Sequence, residues 1–111
     1  MEYRGHDFYC DIAIPGKVKL KKEYESEHVL AYHHTRPHWP VHIVVVPKEH
    51  IASFTTATAE DEPVLKELFR VVQMIAKKIE TEYGAARVLT NLGTYQDSKH
   101  LHIHISSGDE V

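Results

Sequence analysis

The chain has 111 residues, 42 % hydrophobic and 26 % charged, with a net charge of −3 when histidine is neutral, and it contains ten histidines and one cysteine. These values are typical of one globular domain, and the small negative charge excludes a bulk attraction to nucleic acid polymers or anionic membranes. No run of 18 apolar residues predicts a membrane span, and the lone cysteine excludes an internal disulfide, so we expect a cytoplasmic protein.

We assign residues 1–111 to a single domain, with an N-terminal segment of uncertain structure at 1–16 and a short polar tail at 106–111. The alternating residues 18–24 predict a first strand, and residues 28–33 predict a second strand that forms a hairpin with it. A segment rich in His, Arg and Trp follows, and its two prolines predict a loop of the kind that carries function.

The second half of the chain alternates between strand and helix patterns. The aliphatic run 41–47 predicts a central strand buried on both faces. Residues 60–83 predict one long helix, because apolar residues recur at steps of three and four from Val64 to Tyr83. On this pattern Phe69 and Met74 are core residues. Thr58-Ala59-Glu60-Asp61 resembles a capping box, Gly84 suits a helix end, and residues 52–54 predict a single helical turn.

A fourth strand at 87–91 and a fifth strand after a loop at 92–99 complete the order β-β-β-α-β-β. Because consecutive strands usually pair, we predict an α+β domain with an antiparallel five-stranded sheet and one long helix on one face.

Three histidines alternate with aliphatic residues at the start of the fifth strand. A strand has a period of two, so His100, His102 and His104 are predicted to share one face, while the aliphatic residues between them face the core. Imidazole is a metal ligand, a nucleophile and a proton carrier near neutral pH. The pattern alone therefore leaves catalysis, metal binding and a merely histidine-rich surface open.

The pattern His-φ-His-φ-His-φ-φ, where φ is apolar, resembles the signature of the histidine triad (HIT) family of nucleotide hydrolases and transferases, with Ser106 as a departure at the last position. The segment from His42 to Ile51 is similar to the family's H-x-x-V-I-P-K-x-H-I. Asn91 and Gln96 also stand where the family has an asparagine on the phosphate side and a glutamine before the triad. The resemblance covers the chain from about residue 21 to residue 106.

This resemblance implies a homodimer whose sheets join edge to edge, and hydrolysis or transfer at the α-phosphate of a nucleotide through a nucleotidyl-histidine. His102 would be the nucleophile, and His104 and His42 would contact the phosphoryl oxygens or the leaving group. His100 would orient the neighbouring imidazole. No cofactor is required. The substrate-binding positions that the resemblance implies are Asn91, Gln96, Asp97, Ser98, His34 and Thr35.

His34 departs from the family, which usually has an aspartate there that binds the ribose hydroxyls. The departure leaves the nucleoside and the leaving group open. The first hypothesis is a hydrolase of nucleoside phosphoramidates or related nucleotide conjugates. The alternatives are a dinucleoside polyphosphate hydrolase of the same fold and a nucleotide- or metal-binding protein without turnover.

Zinc is a further possibility that the resemblance raises, because some family members bind it through a Cys-x-x-Cys pair. The matching positions here are Asp7 and Cys10, with His50 and His100 as further ligands. One thiolate and one carboxylate make a poorer zinc set than two thiolates.

Overall fold

The structure is a computed structural model that describes residues 14, 16, 19–96 and 98–110. It consists of five antiparallel strands in the order β1-β2-β3-β5-β4 and one long helix, which confirms the predicted α+β architecture. The elements are β1 Lys22–Glu25, β2 Val29–His33, β3 Val41–Pro47, α1 Glu62–Tyr83, β4 Arg87–Leu89 and β5 Ile103–Ser107, with short 3-10 turns at Ala59–Asp61 and Gly93–Tyr95.

The long helix ends where the sequence predicts and begins at Glu62, two residues later than predicted, after the 3-10 turn Ala59–Asp61. Asp61 Oδ2 accepts a hydrogen bond from the Thr58 backbone N–H at 2.9 Å. At the other end Gly84 adopts a left-handed conformation with φ 86°, which favours glycine, and its N–H donates to the Glu80 carbonyl. In the part of the chain that the structure describes, no helix is long and apolar enough to cross a membrane.

The buried stripe of α1 is narrower than the sequence suggests. The side chains that face the sheet are Val64, Leu68, Val71, Val72, Ile75 and Ile79. Phe69 is 63 % exposed and Met74 is 51 % exposed, so the prediction that both are core residues is wrong. Each lies one residue, and therefore about 100° of helix rotation, away from a buried position.

The sheet has two different faces. Residues of β2, β3 and β5 that point toward α1 form the main apolar core, which includes Val29, Ile43 and Ile105. The opposite face carries a second, smaller apolar cluster of Leu30, Tyr32, Val44 and Val46. The predicted burial of β3 on both faces is thereby confirmed.

The fifth strand begins later and ends later than predicted. The residues 100–102 precede β5, because the Leu101 N–H donates to the Ile51 carbonyl at 2.6 Å and holds this segment against the β3–α1 connection. Ser106 and Ser107 belong to the strand and are buried, so the polar tail starts at Gly108 rather than at 106.

Smaller differences affect the other boundaries. β1 starts at Lys22 instead of residue 18, and β4 ends at Leu89 instead of residue 91. Thr90 follows β4, and its side-chain hydroxyl donates a hydrogen bond to the His102 backbone carbonyl at 2.8 Å. The predicted helical turn at 52–54 is instead a turn at 54–56, in which the Thr56 N–H donates to the Ser53 carbonyl.

Candidate active site

Three histidines meet on the sheet face that points away from α1. His34 continues β2, because its N–H donates to the His42 carbonyl at 2.8 Å. His42 pairs with Ser106 of β5, and His104 lies two residues before Ser106 on the same face. One ring nitrogen of each of the three histidines lies within 4.8 Å of the other two. Backbone pairing across three strands therefore brings together residues that are up to 70 positions apart in the chain.

A chain of hydrogen bonds fixes the protons of His42 and His104. The backbone N–H of His38 donates to His42 Nδ1 at 3.1 Å, so in the neutral ring the proton is on Nε2. This Nε2 lies 2.7 Å from His104 Nδ1 and donates to it. His104 then carries its own proton on Nε2. The result is a relay from a loop amide through two imidazoles to one N–H donor.

Burial keeps both imidazoles of this relay uncharged. It lowers the pKa of His42 to about 4, with a smaller contribution from repulsion by His34 and His38. Burial also lowers the pKa of His104 to about 3, with repulsion from His102 and His42 adding to it. Both rings are neutral at pH 7, which the tautomers of the relay require.

His102 has the opposite tautomer. Its Nδ1 lies 2.7 Å from the His100 carbonyl oxygen. A carbonyl can only accept, so Nδ1 carries the proton and the lone pair is on Nε2. The ring is 5 % exposed and meets the His104 ring edge-on, with centroids 5.0 Å apart. An imidazole nitrogen that carries the lone pair has the chemistry of a nucleophile.

The backbone carbonyl of His100, and not its side chain, is the hydrogen-bond partner of His102 Nδ1, and the orienting role of His100 stays a prediction. Its own ring is completely buried, and Nε2 donates to the Pro47 carbonyl at 2.7 Å. The ring also packs edge-on against His50, with centroids 5.3 Å apart. Because His100 and His102 precede β5, the prediction of three histidines on one strand is wrong in that respect.

Two groups of histidines bear on the question of metal binding. His50 and His100 are neighbours as the zinc hypothesis requires, while Asp7 and Cys10 lie outside the described residues, so this hypothesis remains a prediction. The cluster of His34, His42 and His104 has three suitable nitrogens. Tetrahedral zinc, however, holds its nitrogen ligands roughly 3.4 Å apart, and the His42–His104 bond of 2.7 Å suits a shared proton instead.

Trp39 packs against His42, and Arg87 packs against Trp39 in turn. The Trp39 ring meets the His42 ring edge-on at 4.9 Å, and the Arg87 guanidinium lies 5.6 Å from the Trp39 ring centre. Arg87 also donates to Ser106 Oγ at 3.3 Å and to the Gly108 carbonyl. His38, Trp39 and Arg87 were not among the predicted site residues, and the only sequence signal for the first two was the His, Arg and Trp content of the loop.

The remaining predicted substrate-binding residues have diverse surroundings. Gln96 is buried, and its Nε2 donates to the Ala52 carbonyl at 2.7 Å, so the amide N–H is used within the protein. Ser98 Oγ is buried, and within the described ranges it has no hydrogen-bond partner. Asn91 is partly buried after β4, and Thr35 is exposed beside His34. Asp97 lies outside the described residues.

Comparison with known proteins places this site in a family. A family model described as "Scavenger mRNA decapping enzyme C-term binding" matches residues 7–110. An uncharacterized 13.2 kDa HIT-like protein of Azospirillum brasilense is 35 % identical over 98 residues, which cover 86 % of this chain and 80 % of the relative.

Two solved structures share the fold over most of the chain. A HIT family hydrolase from Clostridium thermocellum has a TM-score of 0.81 and 27 % identity, and the match covers 96 % of this chain and 93 % of that one. A hypothetical histidine triad nucleotide-binding protein from Sulfolobus tokodaii has a TM-score of 0.77 and 29 % identity over 93 % of this chain and 69 % of its own. With the His102–His104–His42 geometry, these matches show that the chain belongs to the histidine triad family.

Proposed function

We propose that the protein is a nucleotide hydrolase that cleaves at the α-phosphate of nucleoside phosphoramidates or related nucleotide conjugates. The observation that carries this proposal is the 2.7 Å hydrogen bond from His102 Nδ1 to the His100 carbonyl, which leaves the lone pair on Nε2. The similarity to a HIT family hydrolase and to a nucleotide-binding protein supports the reaction class.

The proposed reaction has two steps. In the first, His102 Nε2 forms a bond to the α-phosphorus as the bond to the leaving group breaks, and the departing amine takes a proton from water. The positive charge on the substituted ring is stabilised by the His100 carbonyl, while the His104 N–H donates to a phosphoryl oxygen. In the second, water attacks the phosphorus, the bond from the phosphorus to His102 Nε2 breaks, and the attacking water gives its proton to the hydroxide that the first step left, which restores neutral His102. Positioning and charge neutralisation carry most of such a transfer.

Ser98 adds independent support for a substrate near the triad loop. Its Oγ is buried, and it has no hydrogen-bond partner among the residues that the structure describes. A buried polar group that lacks a partner costs about 1–3 kcal/mol of stability. A substrate oxygen that bound there would remove this cost, which is the role that the family resemblance implies for Ser98.

The direct test is the intact mass of the protein after acid quench of a reaction with an adenosine phosphoramidate. The wild-type protein should gain the mass of one AMP group, and peptide mapping should place it on His102. His102→Ala should give no adduct. Binding of AMP without adduct or turnover in the wild-type protein would instead favour the non-catalytic alternative.

We also propose a homodimer in which a second copy covers the apolar surface between α1 and β4. In the described residues β4 pairs only with β5, so its other edge is open, and Val88 on it is 52 % exposed. The strand borders a groove of about 280 Å³ whose lining includes Phe54, Phe69 and Ile103. An open edge beside exposed apolar side chains is typical of an interface between sheets.

The dimer is tested by light scattering coupled to size exclusion. The wild-type protein should elute at twice the chain mass, and Val88→Lys with Phe69→Glu should elute as a folded monomer, because the two charges would be buried in the interface. Glu27→Lys changes a charge in the β1–β2 turn and serves as the control. A monomeric wild-type protein at micromolar concentration would contradict the proposal.

A further inference from the structure

The relay of His42 and His104 has two possible directions, and the backbone N–H of His38 selects one of them. With the His42 proton on Nε2, this atom donates to His104 Nδ1, and the His104 proton is on Nε2. In the reverse direction His42 carries its proton on Nδ1, His104 donates from Nδ1, and His104 Nε2 becomes an acceptor. The His38 N–H lies 3.1 Å from His42 Nδ1 and is compatible only with the first direction. This hydrogen bond therefore determines whether the relay ends in a donor.

The loop that carries the His38 N–H has little backbone support of its own. Among the residues that the structure describes, 35–40 make no backbone-to-backbone hydrogen bond, and Pro37 and Pro40 have no N–H to donate. His38 itself is exposed. Side-chain contacts must therefore keep its N–H directed at His42.

Trp39 and Arg87 provide the first of these contacts. The Trp39 ring meets the His42 ring edge-on with centroids 4.9 Å apart, and the Arg87 guanidinium lies 5.6 Å from the centre of the same Trp39 ring. Arg87 also donates to Ser106 Oγ at 3.3 Å and to the Gly108 carbonyl, at the end of the strand that pairs with His42. The guanidinium therefore connects the residue that follows His38 to the neighbouring strand.

Pro40 and Gly108 provide the second contact. A Cβ atom on Gly108 would lie 3.0 Å from two atoms of the Pro40 ring, so the two residues pack closely. Gly108 has φ 91°, a left-handed conformation that favours glycine. Because the Gly108 carbonyl is also an acceptor of Arg87, the two contacts form one group. We name this group of Trp39, Pro40, Arg87 and Gly108 the loop clamp.

We propose that the loop clamp sets the direction of the histidine relay, with Arg87 and Trp39 as positioning residues that act through the His38 N–H. The importance of the relay for catalysis rests on the proposed function, whereas its direction is a property of the free protein. With the clamp in place, His104 presents an N–H that can donate to a phosphoryl oxygen. Without the clamp the two directions become similar in free energy, and in the reverse direction His104 presents a lone pair that repels such an oxygen.

NMR spectra that correlate the ring nitrogens of histidine with their carbon-bound protons measure this direction, because protonated and bare ring nitrogens have well separated shifts. The intact protein is measured without ligand at pH 7.5, where His42 and His104 are neutral, and loss of signals in His42→Asn assigns the His42 ring. In the wild-type protein the form with the His42 proton on Nε2 should exceed the other form by about tenfold, as one hydrogen bond supports. In Arg87→Ala and in Trp39→Ala this ratio should fall to about threefold or less.

Two further variants separate positioning from a general loss of stability. Trp39→Phe keeps an aromatic ring at the contact with His42 and Arg87, so it should keep most of the tenfold ratio. Arg70→Ala replaces an exposed arginine that lines the same groove as Val88, so it controls for effects at the open edge of β4 and should leave the ratio unchanged. A purely structural role of Arg87 would lower the free energy of unfolding without changing the His42 ratio in the folded protein.

An unchanged His42 ratio in Arg87→Ala would overturn the inference, as would a wild-type protein with its His42 proton on Nδ1. Because Arg87 is exposed, this variant gives the answer even where Trp39→Ala fails to fold. Circular dichroism confirms that each variant is folded. The spectra require no turnover, so a protein that forms no adduct with a phosphoramidate would overturn the proposed reaction, and a lowered ratio in Arg87→Ala would still establish the loop clamp.

Discussion

The two faces of the sheet use the same strands for different purposes. Toward α1, the side chains of β3 and β5 are aliphatic, and their burial against the helix stabilises the domain. Away from α1, the alternate residues of the same strands include His42 and His104, which burial keeps neutral, beside the smaller apolar cluster. Burial of the aliphatic side chains therefore stabilises the fold on the face toward α1. Burial of His42 and His104 on the other face keeps the candidate relay neutral and lowers the stability of the fold.

His100 and His102 allow the sharpest test of this division, because they lie two residues apart in one motif. His102→Ala should lower kcat by more than about 10³-fold, since it removes the proposed nucleophile. It also leaves the His100 carbonyl without its buried donor, so we expect it to lower the free energy of unfolding by about 1–3 kcal/mol. His100→Ala should destabilise the fold by about 1–3 kcal/mol, because it leaves the Pro47 carbonyl without its buried donor. Its backbone carbonyl would remain, so the adduct on His102 should still form.

Chemical denaturation and single-turnover kinetics on both variants provide the measurements. Near-normal turnover in His102→Ala would show that the nucleophile is another residue. Full stability of His100→Ala would contradict the structural role that we assign to its side chain.

The pH dependence of stability tests the face that carries the relay. The folded-state pKa values of His42 and His104, about 4 and about 3, lie below the value of about 6.5 in an unfolded chain. The unfolded state therefore binds more protons as the pH falls below 6.5, and the folded state loses stability from there down to about pH 4. The limiting slope for two protons is about 2.7 kcal/mol per pH unit.

Urea denaturation between pH 7.5 and pH 4.5 measures this slope. The double variant His42→Asn with His104→Asn should flatten the curve, because it removes both titrating groups. His28→Asn, at a more exposed histidine in the β1–β2 turn, is the control and should leave the slope unchanged. A wild-type curve as flat as that of the double variant would show that the two rings are protonated normally in the folded protein.

The sequence predicts the apolar face better than the histidine face for a physical reason. The periods of two and 3.6 determine which side chains point inward, so β3, α1 and the order of elements follow from the pattern. The width of the buried stripe depends on the sheet underneath, which is why Phe69 and Met74 were misassigned. The tautomers of His42 and His102 depend on the backbone N–H of His38 and the backbone carbonyl of His100. Every residue type has such backbone groups, so the sequence does not show which of them a histidine will contact.

The relay itself should have a moderate effect on rate. His42→Ala removes the donor to His104 Nδ1, and His104→Ala removes the N–H that faces the substrate. Each should lower kcat by about 10- to 100-fold while the adduct on His102 still forms, because each loses one buried hydrogen bond.

The two relay residues act in series, so the double variant should be little worse than the worse of the two single variants. Rapid-quench kinetics of adduct formation measure this directly. Fully multiplicative effects would show that His42 and His104 act independently and that the proton relay has no functional consequence.

Substitution of His34 should have the smallest effect of these variants, and the effect should be confined to the choice between ribose and deoxyribose. Its Nδ1 is used by the Arg36 amide, so it cannot accept from a ribose hydroxyl, and the wild-type protein should bind AMP and dAMP with similar affinity. In His34→Asp the carboxylate can accept from the 2′ hydroxyl, and we expect a preference for AMP of about 1 kcal/mol. Calorimetric titration with AMP and dAMP measures the first change, and strong discrimination between them by the wild-type protein would show that another group reads the ribose.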